Sequence, residues 1–168
     1  MSIPDGWLPI PFALTADAAE AVAPELLAAS GAVPGEGADV DEATHFLAAA
    51  MARLPVTTRV AARMWHGFGE VATGVVADLS VEERAADTLD AAAPADFPHA
   101  DLQRREAHDD GALVTLSVVT PAGAPEVAFL LRVQVPTSDG LVRIVDVLDR
   151  DTRALGAVWD DALQLARG

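Results

Sequence analysis

Three apolar segments near the end of the chain are joined by very short links. They span residues 112–120, 126–136 and 141–149, and the links contain Pro121 with Gly123 and Asp139 with Gly140. Proline, aspartate and glycine at such positions favour tight turns. A parallel crossover needs about a dozen residues or more, so neighbouring segments can pair only as antiparallel strands. The pattern therefore predicts an antiparallel sheet in the C-terminal half.

The N-terminal part has helical periodicity instead. Residues 3–14 contain three prolines among apolar side chains, which predicts an edge strand or an extended lead-in. A first helix is predicted to run from a cap at Thr15 or Asp17 to about Ser30, with a kink or break at Pro24. Residues 31–38 are predicted to form a loop.

A second predicted helix begins at a cap provided by Asp39 or Asp41 and ends at Leu54, before a proline. Its apolar residues recur at helical spacing, which predicts one buried stripe. The members of that stripe are Phe46, Leu47, Ala50, Met51 and Leu54.

From residue 57 the period changes to two, which predicts strands at 57–68 and 71–79 with a turn between them. Residues 80–101 are ambiguous. Ser80 with Glu83 fits a capping box, so a helix over 81–93 is preferred to a strand. A short strand is predicted over 102–107, and a last helix over 151–167 with a cap at Asp149 or Asp151.

This order predicts an α+β fold, with an antiparallel sheet of about five to seven strands packed against N-terminal helices and a C-terminal helix. Residues 1–168 form one predicted domain, because a chain of this length can bury a single sufficient core. Its parts are a helical part at about 15–54, a mainly β part at about 57–149 and a closing helix at about 151–167.

Composition excludes several classes of protein. The chain has no cysteine, which rules out thiol nucleophiles, disulfides and cysteine-ligated metals, and no lysine, which rules out lysine-based catalysis. The formal charge is −15 and acidic residues are spread along the chain, so neither nucleic acid nor an anionic membrane is an expected partner. The first residues lack a basic and an apolar leader region, which predicts a cytoplasmic protein.

No catalytic residue, cofactor or metal site is assigned from the sequence. His99 with Asp101 and His108 with Asp109 could ligate a divalent metal, but solvated loop histidines are the preferred interpretation. The cluster of Asp146, Asp149 and Asp151 could perform acid and base chemistry. Strand alternation followed by a helix cap is the simpler account of it. An enzyme is therefore the less favoured class.

The segment at 57–68 supplies the candidate binding residues. Arg59, Arg63 and Trp65 fall on one face of the strand, which is predicted to point to solvent. The preferred interpretation is a solvated face with the indole lying on the arginine stems, and the alternative is a recognition surface for a protein partner. A pocket between sheet and helices is the alternative site, with candidate lining residues Met64, His66, Phe68 and Phe129. Trp7 and Trp159 are both predicted to pack in the core, Trp159 beneath the last helix.

Residues near both ends carry a family resemblance. The opening Pro4-Asp5-Gly6-Trp7-Leu8, the strand Arg143-Ile144-Val145-Asp146-Val147-Leu148 and a closing helix holding Trp159 together resemble small actinobacterial proteins of the PsbP-like α/β/α fold. That family consists mostly of non-enzymatic binding or assembly factors. The resemblance implies this class of function and assigns no site residues.

Two functions are therefore expected, in order of preference. The first is a non-enzymatic cytoplasmic binding or assembly protein, chaperone-like or adaptor-like, that holds a protein partner or a second copy of itself as a two-fold homodimer. The second is a small-ligand-binding or enzymatic α+β cup. A filled interior favours the first, whereas a cavity with convergent polar groups favours the second.

Overall fold

A computed structural model describes residues 3–30, 39–55, 59–67, 74–84, 89–94, 97, 99–120 and 126–168. Its elements in chain order are β1 (Trp7–Ile10), α1 (Ala16–Ala29), α2 (Val40–Ala52), β2 (Val60–His66), β3 (Val75–Glu83), β4 (His99–Ala107), β5 (Leu113–Thr120), β6 (Ala128–Pro136), β7 (Leu141–Asp149), α3 (Thr152–Ala157) and α4 (Trp159–Arg167). Phe68 and the loop expected at 31–38 lie outside the described residues.

The strands form one seven-stranded sheet in the order β1-β2-β3-β7-β6-β5-β4. Every neighbouring pair is antiparallel, so the predicted α+β fold with an antiparallel sheet is confirmed. Strands β4 to β7 follow one another as a meander, and β7 then pairs with β3. The last strand in sequence therefore lies in the middle of the sheet.

Both faces of the sheet are covered except at the edge strand β4. We call the face packed against α3 and α4 the C-terminal face, because Leu155 and Leu163 share a core there with Val133 and Val145. The opposite face, here the N-terminal face, is covered near β2 and β3 by α1 and α2. Near β5 and β6 it is covered by the segment that contains Phe97. Three layers result, with the sheet in the middle.

The first two helices begin at the predicted caps. Thr15 accepts a hydrogen bond from the backbone of Ala18, and Asp39 accepts bonds from the first turn of α2. Pro24 lies inside α1 without dividing it. Leu54 was expected in the buried stripe of α2 but is 73% exposed, because α2 ends at Ala52. No helix in the described part of the chain is long and apolar enough to cross a membrane.

The closing helix is interrupted near its middle. Asp151 caps α3, and Val158 separates α3 from α4 with a backbone conformation outside the helical region. Trp159 follows this break and is only half-buried, packed against the core on one side. On its other side the Arg104 guanidinium carbon lies 4.5 Å from the ring centroid. The prediction that Trp159 lies fully in the core is therefore wrong, whereas Trp7 is buried as expected.

The helix predicted over 81–93 is also wrong where the structure describes that range. Residues 81–83 continue β3 and pair with the start of β7, from Val81 opposite Arg143 to Glu83 opposite Leu141. Ser80 is buried within this ladder rather than placed at a helix terminus. Pairing with a distant strand has overridden the local capping pattern.

Candidate functional site

The faces of β2 differ from the predicted arrangement. Arg63 and Trp65 are each 1% exposed, so the prediction that they point to solvent is wrong. The alternation itself is correct, because Met64 faces the opposite way and is equally buried. Both sides are interior because helices cover both faces of the sheet at β2. Arg59 alone of the three partner candidates remains on the surface, where it pairs with Glu82 at 3.0 Å.

The predicted pocket residues do not come together among the described residues. Met64 and Phe129 both lie on the C-terminal face, but β3 and β7 separate their strands, a distance of about 14 Å at the usual strand spacing. His66 is half-buried near the sheet edge, with Nε2 3.3 Å from an Asp161 carboxylate oxygen. The ring centroids of His66 and Trp7 lie 4.9 Å apart, with the two rings packed edge to face. These contacts connect β1, β2 and α4.

A row of polar residues crosses the N-terminal face of the sheet. The strand register places Arg63 opposite Asp78, Asp78 opposite Asp146, Asp146 opposite Arg132, and Arg132 opposite Thr115. Residues directly opposite each other in antiparallel strands share a face and lie close together. We call these five residues the polar row. It contains two Arg–Asp pairs, and the two aspartates are neighbours in its middle.

The first pair is fully hydrogen-bonded. Arg63 donates from Nε and Nη2 to the two carboxylate oxygens of Asp78, at 2.5 and 2.8 Å. Its Nη1 donates to the backbone oxygens of Ala50 and Arg53, at 2.6 and 2.7 Å. These carbonyls belong to the end of α2, where backbone acceptors lack partners within the helix. Arg63 therefore fastens α2 to the sheet.

The second pair has the same residue types but lacks these bonds. Arg132 is 4% exposed, and its nearest approach to Asp146 is 3.7 Å between Nη1 and Oδ2, too long for a hydrogen bond. Arg132 Nε and Nη1 and Asp146 Oδ1 are buried and have no hydrogen-bond partner in the described structure. The two neighbouring pairs thus differ in their hydrogen bonding. In the first pair the charged groups have hydrogen-bond partners, whereas in the second pair three buried atoms have none.

Two further buried polar atoms beside Arg132 are unpaired. Ser117 Oγ, on the next strand, and Gln134 Oε1, two residues along β6, have no hydrogen-bond partner among the described residues. Both residues are 0% exposed. We call Arg132, Asp146, Ser117 and Gln134 the open cluster. Its unpaired atoms include donors and acceptors, so an occupant that both accepts and donates hydrogen bonds fits it best.

Burial raises the pKa of Asp146 to about 6. The positive charge of Arg132 opposes this shift, while the carboxylates of Asp78 and Glu82 add to it. Asp146 therefore titrates near pH 6. Above that pH the charges of Asp146 and Arg132 cancel, and below it Asp146 is protonated and the open cluster carries one positive charge.

A covering segment and an apolar cluster border the open cluster. Gln134 Nε2 donates to the backbone oxygen of Ala91 at 3.0 Å, and the Thr115 hydroxyl donates to that of Ala92 at 3.3 Å. Phe97, from the same segment, packs with Leu130. The other members of this apolar cluster are Val119, Ala128, Ala93 and Leu148.

The other sequence candidates have separate structural roles. Asp151 caps α3, and Asp149 accepts a hydrogen bond from the Asp151 backbone at 2.8 Å, so both serve local structure. Within the described ranges, no three histidine or acidic side chains lie close enough together to hold a metal ion. His108 instead lies 3.4 Å from Glu106.

Sequence reasoning did not single out Arg132, Ser117 or Gln134, and it favoured a structural account of Asp146. A signal was present in β6, where Arg132 and Gln134 interrupt an otherwise apolar strand at alternate positions. Polar residues two apart in a strand share a face, and in a buried strand they need partners. That these residues converge depends on the strand order.

Neither a protein-family model nor a curated protein matches this sequence. Its candidate site is therefore defined by its own geometry.

Proposed function

We propose that this protein is a non-catalytic binding protein that holds a small polar ligand at the open cluster. The observation that carries the proposal is the buried Arg132 guanidinium, whose Nε and Nη1 donors have no hydrogen-bond partner in the described structure. A guanidinium keeps its protons at all physiological pH values. Arg132 is therefore suited to binding a ligand through hydrogen bonds and not to transferring a proton. This function is the ligand-binding alternative expected from the sequence, at different residues.

The energetic cost of the open cluster supports an occupant. A buried polar group without a partner costs about 1–3 kcal/mol, and more when it is charged. Five such atoms belong to the open cluster, so leaving all of them unpaired would cost an amount comparable with the whole stability of a domain. A ligand or ordered water that pairs with them removes much of this cost. The resemblance to PsbP-like binding factors supports the same class of function.

Thermal unfolding with small probe molecules tests this proposal. We expect acetate, acetamide or inorganic phosphate at about 100 times its Kd to stabilise the protein by about 2.7 kcal/mol and to raise the Tm by several degrees. Arg132→Met should abolish this shift. Arg150→Met is the matched control, because Arg150 is an exposed arginine paired with Glu126 and should leave the shift unchanged.

Ser117→Ala provides a second variant that should fold normally. The Ser117 hydroxyl makes no hydrogen bond in the described structure, so its loss costs little stability. We expect weaker probe binding and, in the absence of probe, a Tm that is no lower than that of the wild type, because one unpaired buried hydroxyl is removed. The proposal fails if no probe stabilises the wild type, or if Arg132→Met responds as strongly as the wild type.

A second candidate function, self-association, is supported by the open edge at β4. Among the described strands it pairs with β5 alone, and eight of its nine residues are exposed. An edge strand offers unpaired backbone groups to another chain, and the exposed Leu102 lies in its centre. We therefore propose, as the second function, a homodimer formed through this edge.

Light scattering across a concentration series tests the homodimer. We expect the wild type to dimerise and Leu102→Glu to stay monomeric. Val127→Glu is the control, because Val127 is an even more exposed apolar residue outside β4. A monomeric wild type at about 100 µM, or dimers of Leu102→Glu, would refute the proposal.

A further inference from the structure

The unpaired atoms restrict the chemistry of the ligand. Arg132 and the Ser117 hydroxyl offer donors, whereas Gln134 Oε1 and Asp146 Oδ1 offer acceptors. A carboxylate alone accepts but cannot donate. A carboxyl group that shares one proton with Asp146 does both, because one oxygen accepts from Arg132 while a single proton bridges the two carboxyl groups. Two carboxyl groups in close contact characteristically retain one proton between them.

Charge restricts the ligand further. Arg63 is already neutralised by Asp78, so Arg132 is the one cation of the polar row available to a ligand. The charged groups that act on Asp146 from neighbouring strands are Arg132, Asp78 and Glu82. A dianion would place a further negative charge beside Asp146, and the polar row holds no second cation to balance it. A monoanion that arrives with a proton leaves the charge of the site unchanged.

The charged groups that the structure describes on the covering elements have their own partners. Arg53, at the end of α2, interacts electrostatically with Arg63, Asp78 and Asp149. Asp90, in the covering segment, is exposed and lies 3.4 Å from Arg105. Among the described charged groups, those that act on Asp146 all belong to the sheet.

The apolar cluster beside Arg132 indicates what the carboxyl group is attached to. Leu130 is the next residue of β6 on the same face, and it packs with Phe97, Val119 and Leu148. The described side chains that pack together there are all apolar. An alkyl substituent therefore matches the surroundings better than a hydroxyl or a second acid.

Resting on the function proposed above, we infer that the ligand is a small aliphatic monocarboxylic acid, bound as its anion together with one proton shared between its carboxyl group and Asp146. Arg132 and Ser117 hold one carboxyl oxygen, and the shared proton lies between the other and Asp146 Oδ1. The proton comes from solvent and returns to solvent on release. Binding of this acid therefore depends on pH.

Isothermal titration calorimetry with propanoate tests the inference directly. We expect the affinity to be nearly constant between about pH 5 and pH 6 and to fall about tenfold for each pH unit above this range. Titration at pH 7.5 in two buffers of different ionisation enthalpy should show uptake of about one proton per propanoate. Propanamide and inorganic phosphate should each bind at least tenfold more weakly.

The variant Asp146→Asn tests whether the pH dependence of propanoate binding comes from the protonation of Asp146. Its amide can donate a hydrogen bond at any pH, so we expect this variant to bind propanoate at pH 8 about as tightly as the wild type does at pH 6, with no pH dependence and no proton uptake. Arg132→Met should not bind propanoate at any pH, whereas the control Arg150→Met should behave as wild type.

The outcomes distinguish this inference from the function on which it rests. Binding of phosphate or propanamide in preference to propanoate, abolished by Arg132→Met, would overturn the ligand class and keep the binding function. Propanoate binding without proton uptake would overturn the shared proton. Failure of all three probes would overturn both proposals.

Discussion

Replacing Arg63 by methionine tests the interior placement of the polar row. Methionine fills most of the aliphatic volume of arginine, so the packing change is small and the main loss is electrostatic. Four hydrogen bonds disappear, two to Asp78 and two to the carbonyls that end α2. Asp78 is left buried without its cation and directly opposite Asp146.

Removing one partner of a buried ion pair costs about 3–5 kcal/mol, because the remaining charge stays in the interior. We expect a loss of this size in the free energy of unfolding, measured by urea titration with tryptophan fluorescence. Arg59→Met is the control, since the exposed Arg59–Glu82 pair should contribute no more than about 1 kcal/mol.

A double variant isolates the charge. Arg63→Met with Asp78→Met replaces both ions by apolar side chains, so it should be more stable than Arg63→Met alone. The reasoning is refuted if Arg63→Met costs as little as Arg59→Met. That result would mean that Arg63 lies at the surface, as the strand pattern alone suggests.

The remaining predictions concern Asp146 and two tryptophans. Asp146 holds its proton to about pH 6 in the folded chain but only to about pH 3.8 when unfolded, so its contribution to stability falls as pH rises between these values. Asp146→Asn removes this dependence and should gain up to about 3 kcal/mol above pH 6, measured by urea titration at several pH values; equal pH profiles would contradict it. Trp65→Ala should cost about 3–5 kcal/mol in the same assay, because Trp65 is fully buried, and a loss below about 1 kcal/mol would return it to the surface. Trp159→Ala should cost less than Trp65→Ala, about 1–3 kcal/mol, because Trp159 is half-buried; the reverse order would contradict the packing of α4.

The elements that were predicted correctly depend on local chemistry. The strand at 141–149 has its predicted bounds, and Thr15 and Asp39 cap their helices as expected. Turn residues, caps and alternation act over a few neighbouring positions, so they can be read from one stretch of chain. The fold class follows from the short links between the last strands.

The errors arise where distant parts of the chain meet. Residues 81–83 carry a helix-start pattern but pair with β7, about sixty residues further along the chain. For β2, the period shows which residues share a face but not which face is covered. Alternation placed Arg63 and Trp65 together correctly, while the second covering layer, α1 and α2, decided that they are buried.

The candidate site could not be predicted because it is a product of register. Asp146 faces Arg132 on one side and Asp78 on the other only because β7 lies between β6 and β3. Each residue is unremarkable within its own strand. The unpaired atoms of Arg132 and Asp146 stand out only by comparison with the neighbouring Arg63–Asp78 pair, whose hydrogen bonds the structure shows.

Nitrogen-15 NMR of the arginine Nε–H groups tests the central claim most directly. Arg63 Nε–H donates to Asp78, whereas Arg132 Nε–H has no partner in the described structure, so the two signals report on a satisfied donor and an open one. On titration with propanoate at pH 6, we predict a saturable shift of the Arg132 Nε–H signal and no shift of the Arg63 signal. An unmoved Arg132 signal, or equal movement of both, would contradict the account.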